Sequence, residues 1–479
     1  MSLRVKTIIS SLFITSALHV TGQTAPQSSA DTLSLSLDQC IAIALDENPT
    51  IKVADMEITR MDYSKKETLS QLLPNISFTG SYSRTLAKQT MYMNMGRFGG
   101  SGQSPDKDTS GGGSDNPDSG TESPTGGGGG GIKVGLDNSF STGFSASMPL
   151  IAPQLWKSLK LSDTQIAQSV EAARQSRISM VQQVQNAYYT LLLAEDSRKV
   201  IGESYDMARF TADMYAKQFE LGAATRYDVL RTEVAVKNVE PEITQADIAI
   251  RQAKLQLSIL MGIDSHIPLK ASASLSDYED GMYEKVLNFN TSDISGNGDL
   301  RNLDLQTRQL KDLLTIQKMA WYPTLSLTAN YNWTSMQDGS PFKGFRWSPY
   351  SMVGLTLSIP LFEGGKRYSA IKQARIQVDE MKWQREHLVR SINSQTELAL
   401  DNLQKNVAQI SSCSESVKQA VMAHDIMKQS FEIGAASYLS LRDSELALTQ
   451  SRLTYYQSIY NYLVAASELQ YLLGNYPLE

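Results

Sequence analysis

Four histidines, two cysteines and a run of six glycines are the first places to look for chemistry in this 479-residue chain. His19, His266, His387 and His424 are scattered, without the short spacings that bring imidazoles onto one metal ion. Cys40 and Cys413 are too few for a disulfide scaffold or a cysteine-rich zinc or iron–sulfur site. They could pair in an oxidising compartment or stand as two small buried thiols. The run Gly126–Gly131 has no Lys-Ser/Thr after it, so it is no phosphate-binding loop. Asp106, Asp108, Asp115 and Asp118 faintly suggest calcium, but among so many glycines they suit a solvated loop better. No catalytic, cofactor or metal constellation emerges, and the expectation is a protein that is not an enzyme. With 44 Lys+Arg against 50 Asp+Glu, nothing in the charge favours nucleic acid.

Without a reactive centre, the elements themselves must carry the function. Arg4 and Lys6 precede the apolar run Thr7–Val20, and small residues follow to Gly22, which predicts an export signal over 1–22. No later stretch approaches the roughly 20 apolar residues of a membrane-spanning helix. Thirteen of the 31 glycines fall between Gly99 and Gly131, so an average glycine content hides a local insertion.

The chain is internally repeated. Residues 213–262 lie over 425–474 at a constant offset of 212, with Phe219-Glu220-Leu221-Gly222-Ala223-Ala224-Thr225 facing Phe431-Glu432-Ile433-Gly434-Ala435-Ala436-Ser437. Glu233 faces Glu445 in the same register. Upstream, Leu73-Pro74 resembles Tyr322-Pro323 at an offset of 249, and Met148-Pro149-Leu150 resembles Ile359-Pro360-Leu361 at 211. About 38 extra residues therefore sit in the first copy, and they are the glycine-rich stretch.

Each copy holds two strand candidates with strict alternation. Ile76, Phe78 and Tyr82, then Phe140, Phe144, Ala146 and Met148, alternate with serines and threonines. Leu325, Leu327, Ala329, Tyr331 and Trp333, then Val353, Leu355, Leu357 and Ile359, do the same against Thr, Ser, Asn and Gly. Period two sets an apolar face against a polar one. The polar faces carry almost no charge, unlike the solvated side of a soluble sheet, and suit an outer-membrane strand with a wet lumen. Four strands cannot close a barrel, and open edges in lipid leave backbone groups unsatisfied. Several chains must share one barrel.

Between the strand pairs run long helical patterns. Ile166, Val170, Ala173, Arg177, Met180, Val184, Ala187, Leu191, Ala194, Arg198 and Ile201 recur at alternating four and three. Ile371, Ala374, Val378, Met381, Arg385, Leu388, Ile392, Gln395 and Ala399 repeat that seam. Gly222 and Gly434 suit the left-handed turn that stops a helix, and Thr225 and Ser437 suit the cap of a returning one. Pro241 should kink the first return. The helices are polar outside the seam, as expected either of a solvated coiled-coil spacer or of the wall of a water-filled tube.

The expected organisation is a signal over 1–22, a first repeat over 23–275 and a second over 276–479. The first holds a β-hairpin over 75–148 with its loop at about 95–135 and a helical hairpin over 153–262; the second holds them over 324–359 and 363–474. The fold class is mainly α with a membrane β-barrel: long antiparallel coiled-coil hairpins plus four strands per chain.

Leu37-Asp38-Gln39-Cys40-Ile41-Ala42-Ile43-Ala44-Leu45 through Asn48-Pro49, Leu72-Leu73-Pro74, Ile359-Pro360-Leu361-Phe362-Glu363-Gly364-Gly365 and both glycine tips resemble the TolC-like outer-membrane efflux proteins. The resemblance covers essentially the whole mature chain. It implies a homotrimer with a 12-stranded barrel in outer-membrane lipid of a Gram-negative bacterium, continued by a helical tunnel across the periplasm. It also implies docking of the tips (Gly222, Thr225, Gly434, Ser437) onto a periplasmic adaptor protein and an inner-membrane pump, in efflux or type I secretion. In that family hairpin-tip contacts and acidic rings narrow the periplasmic end. Asp228 and Asp443 match its acidic positions, and Phe431 stands where an aromatic hydroxyl can sit. Ala436 replaces a gating Arg of some members and Ser440 a second Asp, so closure is expected to rest on packing around Phe431 and acidic repulsion.

The rival from another class is an exported coiled-coil interaction protein, such as a periplasmic adaptor or an adhesin stalk. An adaptor should carry a compact β domain between two helices, whereas here two lipid-type hairpins are duplicated with theirs. Cell fractionation separates the two: extraction from outer membranes only by detergent is expected, and release by salt would exclude a channel.

Overall fold

A computed structural model describes residues 33–91, 132–264, 266–279, 293–340 and 344–474. The signal expected over 1–22 and the glycine-rich loop as far as residue 131 lie outside the described residues. The chain divides into two units: Met1–Lys52, Ser176–Ile294 and Ser394–Glu479 form one, and Val53–Gln175 and Ser295–Asn393 the other.

In the second unit, β2 (Asn75–Arg84), β5 (Asn138–Ile151), β7 (Thr324–Gln337) and β8 (Ser348–Ser358) form one sheet in that order, every neighbour antiparallel. The register keeps the two faces in phase across all four strands. Phe78 lies opposite Phe144, Phe144 opposite Tyr331, and Leu327 opposite Leu355. On the other face Thr79 meets Gly143, Gly143 meets Asn332, and Asn332 donates to the Tyr350 hydroxyl at 3.1 Å. Ring pairs such as Phe78–Phe144 at 4.9 Å and Tyr331–Trp333 at 4.6 Å knit the apolar face. That face is bare among the described residues, Ile76 and Val353 being 70% and 74% exposed. A Cβ on Gly143 would fall 2.0 Å from Asn332 Oδ1 and 2.5 Å from the Tyr331 carbonyl oxygen, so only glycine fits there. β3 (Gln89–Met91) pairs with β4 (Ile132–Val134) as a ribbon beyond the first hairpin. Lys88 Nζ, 3.1 Å from Asp137 and 2.8 Å from Asp338, ties the two hairpins at that end.

Two boundaries move. β5 runs past the expected 148 to Ile151, with a register shift at Pro149, which lacks a ladder N–H. The second helical hairpin starts at Lys366 rather than 363, because Gly364 and Gly365 take φ of +58° and +82°.

The long helices are α3 (Pro153–Glu220), returning as α4 (Arg226–Met261), and α6 (Lys366–Glu432), returning as α7 (Tyr438–Leu473). α4 continues through Pro241. The seam buries Ala173, Met180, Val184, Ala187 and Leu191 in α3, and Ala374, Val378, Met381, Ile392 and Ala399 in α6. Val170, Arg385 and Gln395 are corrections: all three are exposed, and Thr396 takes the seam position beside Gln395 at 4% exposure. The spacing from Leu388 through Ile392 and Thr396 to Ala399 is four, four, three, a local eleven-residue repeat within heptads.

Two helices precede the strands without having been expected. α2 (Pro49–Ser70) and α5 (Gly298–Met319) are each 22 residues long and lie 249 residues apart, the offset of the proline landmarks. Asn48 and Asn297 stand before them, so the duplicated module also includes a leading helix. Polar contacts position these helices in the second unit: Thr164 donates to Asp312 at 2.8 Å, Lys65 pairs with Asp163 at 2.7 Å, and Arg385 with Asp304 at 2.6 Å.

The first unit has the larger core. α1 (Leu37–Glu47) opens with a capping box between Ser36 and Gln39, and β1 (Leu33–Leu35) pairs in parallel with β6 (Leu269–Ala271). Cys40, Ala44, Tyr188, Leu191, Leu257, Met261, Ile459 and Leu469 pack into one cluster with them. Cys40 and Cys413 are both free; burial pushes the Cys40 thiol up to about 11. Asn48, 5% exposed, donates from Nδ2 to the Leu260 carbonyl at 2.7 Å and accepts from Thr50 N at 2.7 Å. Beside it Gly262 ends α4 at φ +70°, where a Cβ would come within 2.9 Å of the Glu47 carbonyl oxygen. Asn48 thus serves both an orphan carbonyl at the end of α4 and an orphan N–H at the start of α2. Asn48→Ala strips both partners and is expected to destabilise the first unit by about 1–3 kcal/mol, read as a lower midpoint in thermal circular dichroism. An unchanged midpoint would show that the contact is only geometric.

Candidate functional site: the helical hairpin tips

Both tips are built by the same turn. After α3, Gly222 takes φ +73°, its N–H reaching the Phe219 carbonyl at 2.9 Å, and Ala223 N–H reaches Gln218 at 2.8 Å. After α6, Gly434 takes φ +78° and the corresponding bonds run from Gly434 to Phe431 at 3.0 Å and from Ala435 to Ser430 at 2.8 Å. These left-handed stops satisfy carbonyls that the helices leave orphaned. Leu221 and Ile433, just before the two glycines, are 83% and 81% exposed.

The caps differ. Thr225 Oγ1 accepts from Asp228 N at 3.2 Å, while Asp228 Oδ2 accepts from Thr225 N at 3.1 Å and from its hydroxyl at 2.6 Å. Those bonds, with Arg231 as a lesser influence, hold the Asp228 carboxyl below the usual aspartate range. At the second tip Ser437 Oγ accepts from Ser440 N at 3.2 Å, and the two hydroxyls lie 3.0 Å apart. Ser440 is the repeat mate of Asp228, so it fills a capping position without a charge. Asp443 is exposed, and Ala436 adds a bond from its N–H to the Ser430 carbonyl at 3.1 Å.

Aromatic packing brings the two hairpins together. The Tyr215 ring on α3 lies 6.4 Å from Phe431 and 5.7 Å from Tyr438, edge-on to the latter. The Arg231 guanidinium of α4 sits 4.6 Å over Tyr438 on α7, a cation–π contact. Of the expected site residues, Phe431 joins this cluster, Asp228 is engaged in its cap, and Asp443 stands outside. Tyr215, Arg231 and Tyr438 were missed. One signal existed: Arg231 is the repeat mate of Asp443, an inversion of charge at equivalent positions.

Just behind the tip Glu445 is 4% exposed, with Arg442 Nη1 3.4 Å from its carboxylate. His424, 7% exposed, faces it from α6 and lies 3.4 Å from Ser444 Oγ. Burial outweighs Arg442 and His424 and raises the Glu445 pKa above its ordinary 4.5. Its repeat mate Glu233 is exposed, so identical residues in one register meet opposite environments. Among the described residues no group of His, Cys, Asp and Glu could hold a metal ion, and no helix is long and apolar enough to cross a membrane.

Residues 40–263 and 294–475 match the outer membrane efflux protein family. The outer membrane protein TolC of Escherichia coli is 22% identical over 374 residues, covering 72% of this chain and 74% of that one. The probable efflux pump outer membrane protein TtgC of Pseudomonas putida is 23% identical over 359 residues, 72% and 63% of the two chains. Among solved structures, the Campylobacter jejuni CmeC outer membrane channel superposes with a TM-score of 0.66 at 17% identity, over 97% of this chain and 94% of that one.

The pH dependence of the tip follows from Glu445. Bound more tightly in the folded state, its proton is lost there only at higher pH, so the destabilisation grows as pH rises from 4.5 to the raised value and persists above it. Glu445→Gln should therefore slow hydrogen–deuterium exchange at the start of α7 at pH 7, with little effect at pH 4. Equal effects at both pH values would exclude the buried charge as the cause.

Proposed function

Because the chain belongs to the outer membrane efflux protein family, we propose that it is the outer-membrane channel of a tripartite efflux or type I secretion system, a passive conduit through the envelope. The observation that carries this reading is the four-stranded sheet, with an apolar face, an uncharged polar face, and edges β2 and β8 that have no partner among the described residues. Lipid does not tolerate open edges, and single-chain membrane barrels begin at about eight strands. Three chains pairing β8 to β2 make the twelve-stranded barrel of a homotrimer, with the wet faces inward. The family consists of channel proteins rather than enzymes, and energy for export comes from a partner: an inner-membrane pump joined through a periplasmic adaptor.

The tips are the docking end. Gly222, Thr225, Gly434 and Ser437 are exposed, a Cβ on either glycine would meet open space, and Leu221 and Ile433 offer apolar side chains beside them. Closure of the periplasmic end rests on the ring cluster of Tyr215, Phe431 and Tyr438, with Arg231 clamped over it. Asp228 contributes by fixing the first turn through its cap, and Asp443 is a rim charge that repels its copies in the trimer.

Single-channel recording in planar bilayers tests both parts. The wild type is expected to insert as a low-conductance channel. Arg231→Ala should shift the gate toward open by about twofold to fivefold, the worth of an exposed cation–π contact. If Asp228→Ala combined with Phe431→Ala leaves conductance unchanged, closure does not lie in these tips.

A further inference from the structure

A cavity of about 640 Å³ opens behind the ring cluster, between the last turns of α3 and the tip-proximal parts of α6 and α7. Its size falls within the roughly 300–1,000 Å³ of sites for drug-sized ligands. Its body is apolar and aromatic: Met207, Phe210, Met214 and Tyr215 on α3, Phe431 on α6, and Leu441 on α7. Phe210 is 70% exposed, an aromatic face that the chain leaves uncovered. The two methionines add unbranched, polarisable side chains that adapt to an irregular occupant.

The polar lining is asymmetric in sign. Asp206 on α3, Glu432 on α6 and Glu445 on α7 supply three carboxylates. Arg442 lies 3.4 Å from Glu445, His424 faces Glu445 from α6, and Lys428 adds a second positive charge to set against the three carboxylates. One acidic charge remains, with Asp206 and Glu432 both solvent-exposed. We propose that this cavity binds an organic monocation with a flat aromatic body, the rings stacking against Phe210 and Tyr215 and the charge facing Asp206 and Glu432. An aromatic cation gains twice in such a place, from ring stacking and from attraction to the carboxylates. A neutral or anionic ring of the same size gains once or not at all.

Ethidium is the probe, and 1-anilinonaphthalene-8-sulfonate is the anionic comparison. Fluorescence anisotropy is read on the full-length protein in detergent. Ethidium should saturate at one site per chain, with the sulfonate at least about tenfold weaker. Phe210→Ala should weaken ethidium by about threefold to tenfold, the worth of an aromatic contact. Glu432→Gln should weaken it by about twofold to fivefold, as for an exposed ion pair. Met214→Trp, which fills the cavity, should abolish saturable binding. Should Met214→Trp fail to fold, Phe210→Ala decides, since that side chain is already exposed. Equal ethidium affinity in wild type and Phe210→Ala, or non-saturating uptake shared with the sulfonate, would overturn the site. Bilayer recordings made without ethidium on the same preparation keep that result apart from any failure of the channel reading.

Discussion

An unpaired backbone N–H or C=O in hydrocarbon costs several kcal/mol, and this constraint organises the molecule. Four strands with two open edges are untenable in lipid for one chain, and the proposed trimer answers this by pairing β8 to β2. A barrel of about twelve strands is wider than the eight-stranded kind that side chains fill, so it holds water and its lining is polar. Serine, threonine, asparagine and glycine share one face of the sheet, which suits that lining, while Ile76, Phe78, Leu355 and Val353 share the other. The helices then need no broad greasy surface. Their narrow seams, and small polar contacts such as Thr164 with Asp312, suit elements wetted on one side.

Much of this could be read from residue order alone. Period-two alternation over ten or more residues, and a seam at four and three, are statements about geometry that tertiary context seldom overrides. The repeat offset of 212 located both tips to the residue because a left-handed glycine followed by a hydroxyl cap has few alternatives. α2 and α5 lie in the segments that precede the strand landmarks, where Leu300, Leu303, Leu310 and Leu314 do carry a helical spacing. Gln395 was misplaced because strict heptads were extended across a four-four-three step. The tip cluster was only half legible. Phe431 stood out through the repeat, but Tyr215, Arg231 and Tyr438 come from three different helices and share no local pattern. Glu445 shows the limit most plainly, since Glu233 has the same identity and register and lies exposed.

Duplication followed by divergence explains the character of the tips. The backbone turn is retained in both copies down to the same pair of hydrogen bonds, while the charges have drifted apart. Asp228 caps one helix and Ser440 the other; Arg231 reaches over a tyrosine where Asp443 reaches into solvent. Two like scaffolds thereby present unlike surfaces, and contacts between them become complementary instead of self-repelling. The cavity behind the rings is a by-product of that asymmetry, since α3 brings methionine and phenylalanine to a place where α6 brings histidine and lysine.

The four-four-three step in α6 has a mechanical meaning. Heptads wind a left-handed supercoil because 3.5 residues per turn falls short of 3.6, whereas eleven residues in three turns slightly exceed it. Between Leu388 and Ala399, about three turns of helix, the seam therefore loses its left-handed drift. No glycine or proline marks the place, and the backbone hydrogen-bond ladder stays intact. α6 thus changes the pitch of its seam within one unbroken helix, with no kink to mark the change.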